Sequence, residues 1–287
     1  FESSGTQTGG GGGGGGAAPS KPAPEEITLH GNIRSKNLKE ALDQAKRVIL
    51  ASDVVLTVDE DVEIPAGKTV TMQSGAKATV ETGKTMAVTG TMNMENGSSL
   101  TNSENGKFAI NSTNSLHLGG TFTNMGGLYV GTEDNSKAGL LELNAGGNLI
   151  NSSHVNVYAR STLRNAGTIE STGVIAVWGG GSMDNTGTSG MTGGELDLYK
   201  TASLTNSGTF TMGGGVLNSD GVDLTNSGTF NMDALSGEVS LTNAKLVNTG
   251  TFNMISGIFK STGTALVNQG TATISGGTMS GFGCVID

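Results

Sequence analysis

A repeat of 20 to 22 residues in the second half of the chain constrains the fold more than any other feature. Leu204-Thr-Asn-Ser-Gly-Thr-Phe-Thr-Met212 returns as Leu224-Thr-Asn-Ser-Gly-Thr-Phe-Asn-Met232 and Leu246-Val-Asn-Thr-Gly-Thr-Phe-Asn-Met254, then as Leu266-Val-Asn-Gln-Gly-Thr-Ala-Thr-Ile274. Weaker copies run from Leu163 to Ser171 and from Met183 to Met191. Asn165, Asn185, Asn206, Asn226, Asn248 and Asn268 mark the period. A fixed period of this length is one short solenoid coil, which cannot bury its apolar face alone and must stack on its neighbours. Less regular copies are expected around Asn102, Asn124 and Asn151.

Within each copy, Leu, Phe and Met alternate with polar residues, so they point to one face of a strand. Stacked coils then place Phe210, Phe230 and Phe252 above one another at roughly the 4.8 Å strand spacing. The asparagines stack at a bend, where their amides can bond to one another and to turn backbone. Gly208, Gly228, Gly250 and Gly270, two residues on, are expected to supply turns with positive φ. Upstream, residues 54–58, 68–72 and 85–89 also read as short strands, separated by Gly or Pro-Ala-Gly turns. The expected fold is all-β: a parallel β-helix solenoid of ~20-residue coils. About eleven coils make a rod on the order of 50 Å long.

Three regions precede or form this rod. Residues 1–26 are an extended Gly/Pro-rich tail containing Gly9, Gly10, Gly11, Gly12, Gly13, Gly14, Gly15 and Gly16. Residues 27–52 read as an N-terminal cap. In it, Leu38, Ala41, Leu42, Ala45, Val48 and Ile49 recur at helical spacing and predict one helix over 37–50. Residues 53–287 are the β-helix. A helix at this place would cover the unpaired edge of the first coil.

These residues resemble the single-stranded right-handed β-helix proteins, which include pectate-lyase-like enzymes, phage tailspikes and bacterial surface adhesins. The stretch Val62-Glu-Ile-Pro-Ala-Gly-Lys-Thr-Val-Thr-Met72 is similar to an opening segment of bacterial surface β-helices. The likeness spans about residues 37–287. It implies architecture and a right-handed coil; function does not follow from fold, since this fold serves both enzymes and inert stalks.

Chemistry-bearing patterns are sparse. Asp220, Asp223, Asp233 and Glu238 lie in adjacent coils, where they would either bind calcium through oxygen ligands or serve as solvated turn residues. Arg160 and Arg164 near Glu170 mimic a basic catalytic group, with a surface ion pair as the plainer account. His30, His117 and His154 are too far apart in sequence for a metal motif. The triple glycines 179–181 and 213–215 lack the helix and Lys-Thr of a phosphate loop. Trp178, Tyr158 and Tyr199 fall in neighbouring coils and would form either a small platform for a sugar or a partly buried corner. Thr168, Thr188, Thr209, Thr229, Thr251 and Thr271 form one exposed row. A second threonine row, the pattern of ice-binding solenoids, is broken by Glu170, Gly190, Asn231 and Asn253. No catalytic, metal or cofactor site is expected, and the chain is read as non-enzymatic.

The net charge of −9 opposes phosphate binding, which needs clustered Lys and Arg, so no nucleic-acid partner is expected. No apolar run approaches the ~20 residues of a membrane span. Cys284 is the single cysteine, so there is no disulfide framework. The composition fits a secreted chain whose leader has been removed. The last residues carry no charge before Asp287 and no capping helix, and an uncapped solenoid end is a template for another chain. The leading expectation is therefore a subunit of an extracellular filament or sheath, self-assembling head to tail. Phe1, the glycine run, Phe282, Cys284 and Val285 would make the subunit contact. The alternatives are a cell-surface adhesin or stalk that binds glycans, and a polysaccharide lyase or hydrolase.

Overall fold

The computed structural model describes residues 24–113, 116–263 and 266–281, together with the backbone of 284–286. The described residues form an all-β parallel solenoid with one helix. Its strands form three parallel sheets of 13, 12 and 11 strands. From the second coil onward each coil contributes one strand to the first, second and third sheet in turn, so sheet neighbours are three strands apart in sequence; in the first coil, which has no third-sheet strand, they are two apart. The twelve rungs of the second sheet are one more than the repeat count predicts. At roughly 4.8 Å per rung they extend on the order of 55 Å.

The strands are three to five residues long and alternate buried and half-exposed positions, as in Thr209–Met212 and Thr229–Met232. The alternation arises from the two-residue pleat, which sends every second side chain into the core. Register is strict: Thr209, Phe210, Thr211 and Met212 pair with Thr229, Phe230, Asn231 and Met232, which pair in turn with Thr251, Phe252, Asn253 and Met254. The phenylalanine column is present. Ring centroids of Phe210 and Phe230 are 5.3 Å apart and nearly parallel, and those of Phe230 and Phe252 are 6.0 Å apart.

The helix, α1 (Ser35–Gln44), is shorter than the 37–50 expected. It opens where Asn37 Oδ1 accepts the backbone N–H of Arg34 at 3.0 Å. Leu38, Ala41 and Leu42 are buried. Val48 and Ile49 belong instead to the strand Arg47–Leu50, which pairs with Glu26–Leu29. The run Arg-Val-Ile-Leu suits a pleated surface better than a helix because its β-branched side chains are stiff. Among the described residues strands begin at Glu26, and α1 follows the strands Glu26–Leu29 and Asn32–Arg34, where the next two coils carry third-sheet strands Val62–Ile64 and Thr85–Val88.

The buried asparagines form two ladders at different corners. Asn165, Asn185, Asn206, Asn226, Asn248 and Asn268 end successive strands of the first sheet and are all buried. Each Nδ2 donates to the next Oδ1 at 2.6–2.7 Å. Asn102, Asn124 and Asn151 are not earlier members of that column. They end strands of the second sheet and form their own ladder, with Nδ2 to Oδ1 distances of 2.9 Å. Asn151 closes it by donating to Ser171 Oγ at 3.0 Å. At the first-sheet corner the place before Asn165 is held by Leu143, and at the second-sheet corner the asparagines give way to Ser171 and then Met191. The spacing irregularity between the early and late copies is this shift of a third of a coil.

The repeat glycines also differ from expectation. Gly208, Gly228, Gly250 and Gly270 do not have positive φ. They are glycine because the coils approach too closely for a side chain: a Cβ on Gly228 would sit 2.1 Å from the carbonyl oxygen of Gly208.

The termini named in the filament expectation are only partly described. Phe1, the Gly9 to Gly16 run and Phe282 lie outside the described residues. Cys284 and Val285 lie in the strand Cys284–Ile286, which pairs with Leu266–Asn268.

Candidate functional site

An aromatic column occupies the corner that follows the third sheet. Tyr158, Trp178 and Tyr199 each come directly after a third-sheet strand, namely His154–Val157, Val174–Val177 and Glu195–Leu198. Strand pairing aligns Val157, Val177 and Leu198, so the next residues fall in line. The Trp178 and Tyr199 rings stack at 4.2 Å between centroids and 3° between planes. Tyr158 and Trp178 stack at 6.3 Å and 18°. Trp178 Nε1 donates to Asn156 Oδ1 at 3.0 Å, which satisfies the indole and fixes its plane. The structure therefore brings together all three aromatics that the sequence placed in neighbouring coils.

The column has two different ends. Before Tyr158 the aligned position is Gly131, since Val130 pairs with Val157. There the chain makes a surface loop, in which Asp134 accepts hydrogen bonds from Ser136 N and Oγ at 3.0 and 2.7 Å. Hydrogen bonding from Thr132, then from the backbone and side chain of Ser136, lowers the Asp134 carboxyl to about 2. Arg160 donates to the Asn135 carbonyl and ties this loop to the aromatic corner. Tyr158 is consequently almost buried, at 9% exposure. Burial, and then the nearby Glu133 and Tyr129, push its phenol above the ordinary range.

At the other end the column stops because Leu198 pairs with Ser219, leaving Asp220 in the next place. Trp178 and Tyr199 are 38% and 40% exposed. Tyr199 borders a cleft of about 260 Å³ lined by Asp197, Asn218, Asp220, Ser240 and Thr242. Asn218 Nδ2 donates to Asp197 Oδ1 at 2.9 Å. Burial raises the Tyr199 phenol, and Asp197 and Glu195 raise it further, so the ring keeps its proton.

A larger groove, of about 660 Å³, lies at the corner before the third sheet. Gly106, Gly126, Gly127, Met125, Tyr129 and His154 are among the residues that line it. Lys107 Nζ stands 5.0 Å from the Tyr129 ring centroid. Sequence reasoning did not single out this groove; the Gly126-Gly127 pair ahead of Tyr129 is the only local signal of it.

The candidate acids do not converge. Asp223 pairs with Lys245 at 3.5 Å and Glu238 with Lys260 at 2.9 Å. Among the described residues no group of three or more His, Cys, Asp or Glu is placed to hold a metal ion. Arg164 pairs with Glu142 at 3.0 Å rather than with Glu170. His30 contacts Asp53 and His154 contacts Ser153. The threonine row is in register from Thr168 to Thr271. Its neighbour row remains mixed, and Asn253 donates to Asn231 within it.

Glu142 is the most elaborate ion pair, accepting from Arg164 and contacting His117 Nδ1 at 2.9 Å. Burial alone would raise its carboxyl, but Arg164 and then His117 outweigh that and hold it below its ordinary value of 4.5. A depressed folded-state pKa contributes stability that is present above the unfolded value and lost as pH falls through the folded one. Thermal melts from pH 6 downward should therefore fall less steeply below pH ~4.5 for Glu142→Gln than for the parent. Parallel curves would mean that the pair contributes nothing, as many exposed pairs do.

The chain matches no protein-family model and no curated protein sequence. Among solved structures, the crystal structure of a TibC-catalysed, hyper-glycosylated fragment of TibA is similar, with 14% identity and a TM-score of 0.33. The alignment covers 88% of this chain and 100% of that one. A likeness at that score does not bear on function.

Proposed function

We propose that this protein is a non-catalytic β-solenoid rod of adhesin type, displayed on a cell surface and contacting glycans through its aromatic corner. One observation carries the reading. A surface of Ser, Thr, Asn and Gly is interrupted by the half-exposed stack of Trp178 and Tyr199, continuous with the nearly buried Tyr158. Exposed aromatic faces beside polar groups are the usual furniture of ligand sites, because the ring supplies apolar area while the polar groups fix orientation. The unbroken register of the coils gives that face a stiff support. Asp223 and Glu238, two of the four acids in adjacent coils, are each paired with a lysine rather than gathered into one cluster, which supports the non-catalytic part.

The test is a glycan array probed with labelled protein, beside a variant in which Trp178 and Tyr199 are both changed to Ala. Binding by the parent that the variant lacks is the expected result. Release of new reducing ends or unsaturated uronides from plant or bacterial polysaccharides would overturn the non-catalytic reading.

A second reading is the head-to-tail filament: parallel strands stacked in strict register extend by adding further rungs, and a strand edge is a template for another chain. Negative-stain microscopy of the full chain should show filaments that a deletion of residues 1–24 does not form. Short single rods from both would exclude tail-mediated assembly.

A further inference from the structure

Two clefts border the aromatic column: one of about 220 Å³ between Tyr158, Trp178 and the loop residues Glu133 and Asn135, and one of about 260 Å³ beside Tyr199. The stacking neighbours are successive coils, so the rings lie one above another along the rod. Trp178 has a tyrosine on each side. Tyr158 is sheltered beneath the loop held by Asp134 and Arg160. Tyr199, at the more exposed end, has one face covered by Trp178 and no ring following it, because Asp220 takes the next place. Tyr199 is 40% exposed and borders the cleft of about 260 Å³.

We propose that this cleft binds one hexopyranose unit of an uncharged glycan, seated on the free face of Tyr199 as the missing rung of the stack. The proposal rests on the glycan-contact reading above and names where and how the contact is made. A pyranose presents a patch of C–H bonds on one face, polarised positive, which suits the negative face of an aromatic ring. Its hydroxyls point outward around the rim. Asp197, Asn218, Asp220, Ser240 and Thr242 surround the ring position with carboxylate, amide and hydroxyl groups, the set that accepts and donates to neighbouring sugar hydroxyls. The two carboxylates oppose a uronic acid by like charge. A flat aromatic ligand would also stack, but it would leave these polar groups unpaired in the contact.

Trp178 is the single tryptophan of the chain and stacks directly beneath Tyr199, so its fluorescence reports on the site. Titration with cellohexaose, maltohexaose, mannohexaose and chitohexaose should give a saturable change with at least one of them. Oligogalacturonate should bind more weakly than that oligosaccharide at low salt. Tyr199→Ala should weaken binding by about tenfold or more, and Tyr199→Phe should retain it because the face is kept. Asp220→Phe, which places a protein ring on the next rung, should abolish binding. Far-UV circular dichroism and a melt of each variant confirm that the rod is intact. Binding that survives both Tyr199→Ala and Asp220→Phe overturns the site. If the parent also binds the array through other residues, the surface-glycan reading stands without it. No binding to any of the four probes overturns the proposal; silence on the array as well removes the reading on which it rests.

Discussion

Changing Asn226 to leucine will destabilise the rod by roughly 3–5 kcal/mol, through the loss of three side-chain bonds and the orphaning of buried polar atoms at about 1–3 kcal/mol each. Asn226 is fully buried. It accepts from Asn206 at 2.6 Å and donates to Asn248 Oδ1 at 2.6 Å and to the Thr251 carbonyl at 2.9 Å. Leucine fills a similar volume but leaves Asn248 Oδ1 facing a methyl group in a site closed to water. Aspartate would restore the acceptor and not the donor, and would also bury a charge, so Asn226→Asp should be worse still. The measurement is urea unfolding followed by circular dichroism. Solenoid stability is a sum of coil and nearest-neighbour terms, so the coils beyond the substitution should melt in a separate, earlier phase. Asn231, half-exposed and bonded to Asn253, provides the contrast: Asn231→Ala should shift stability by no more than about 0.5 kcal/mol. Equal midpoints for the two variants would sink the view that the ladder stabilises the rod.

The second large effect is at Gly228. Alanine there brings a Cβ to 2.1 Å from the Gly208 carbonyl oxygen and 2.5 Å from the Ser207 carbonyl carbon. Both obstacles are backbone, so no side-chain rotation relieves the clash. The coils must part locally, and overpacking costs roughly 1–3 kcal/mol and occasionally more, with this site at the upper end because both obstacles are backbone. Gly221→Ala separates this cause from the other common reason for glycine. Gly221 has φ of +69° and open space around its Cβ, so only the backbone preference is lost, at about 1–2 kcal/mol. Paired denaturation curves should place Gly228→Ala well below Gly221→Ala. The reverse order would show that the repeat glycine is retained for its dihedral freedom after all.

That contrast also marks what the sequence alone conveyed. The Leu-x-Asn-x-Gly-Thr-Phe copies made the parallel coil, the inward phenylalanines and the late asparagine ladder legible, because each is a direct consequence of one period and one pleat. The reason for the glycines was not legible, since close approach between coils depends on a neighbour about twenty residues away. The first ladder was visible as Asn102, Asn124 and Asn151 but not as a different corner, because spacing counts residues and not thirds of a coil. The helix was found with too late an end: Val48 and Ile49 fit a helical period and a strand equally, and pairing with Ile27 and Thr28 decides between them. The aromatics could be placed in adjacent coils, but the capped and open ends of their stack depend on Gly131, the loop at 132–138 and Asp220.

The hydrogen bonds that join strand to strand run along the rod, not across it. A pull on the two ends therefore loads the coils in series, and the rod yields at its weakest junction rather than at the combined strength of all of them. Each coil released, such as the stretch from Phe210 to Phe230, pays out about 70 Å of extended chain while the coils on either side stay wound. Under shear the molecule would lengthen in steps and rewind when slack, behaving as a shock absorber between whatever holds its two ends.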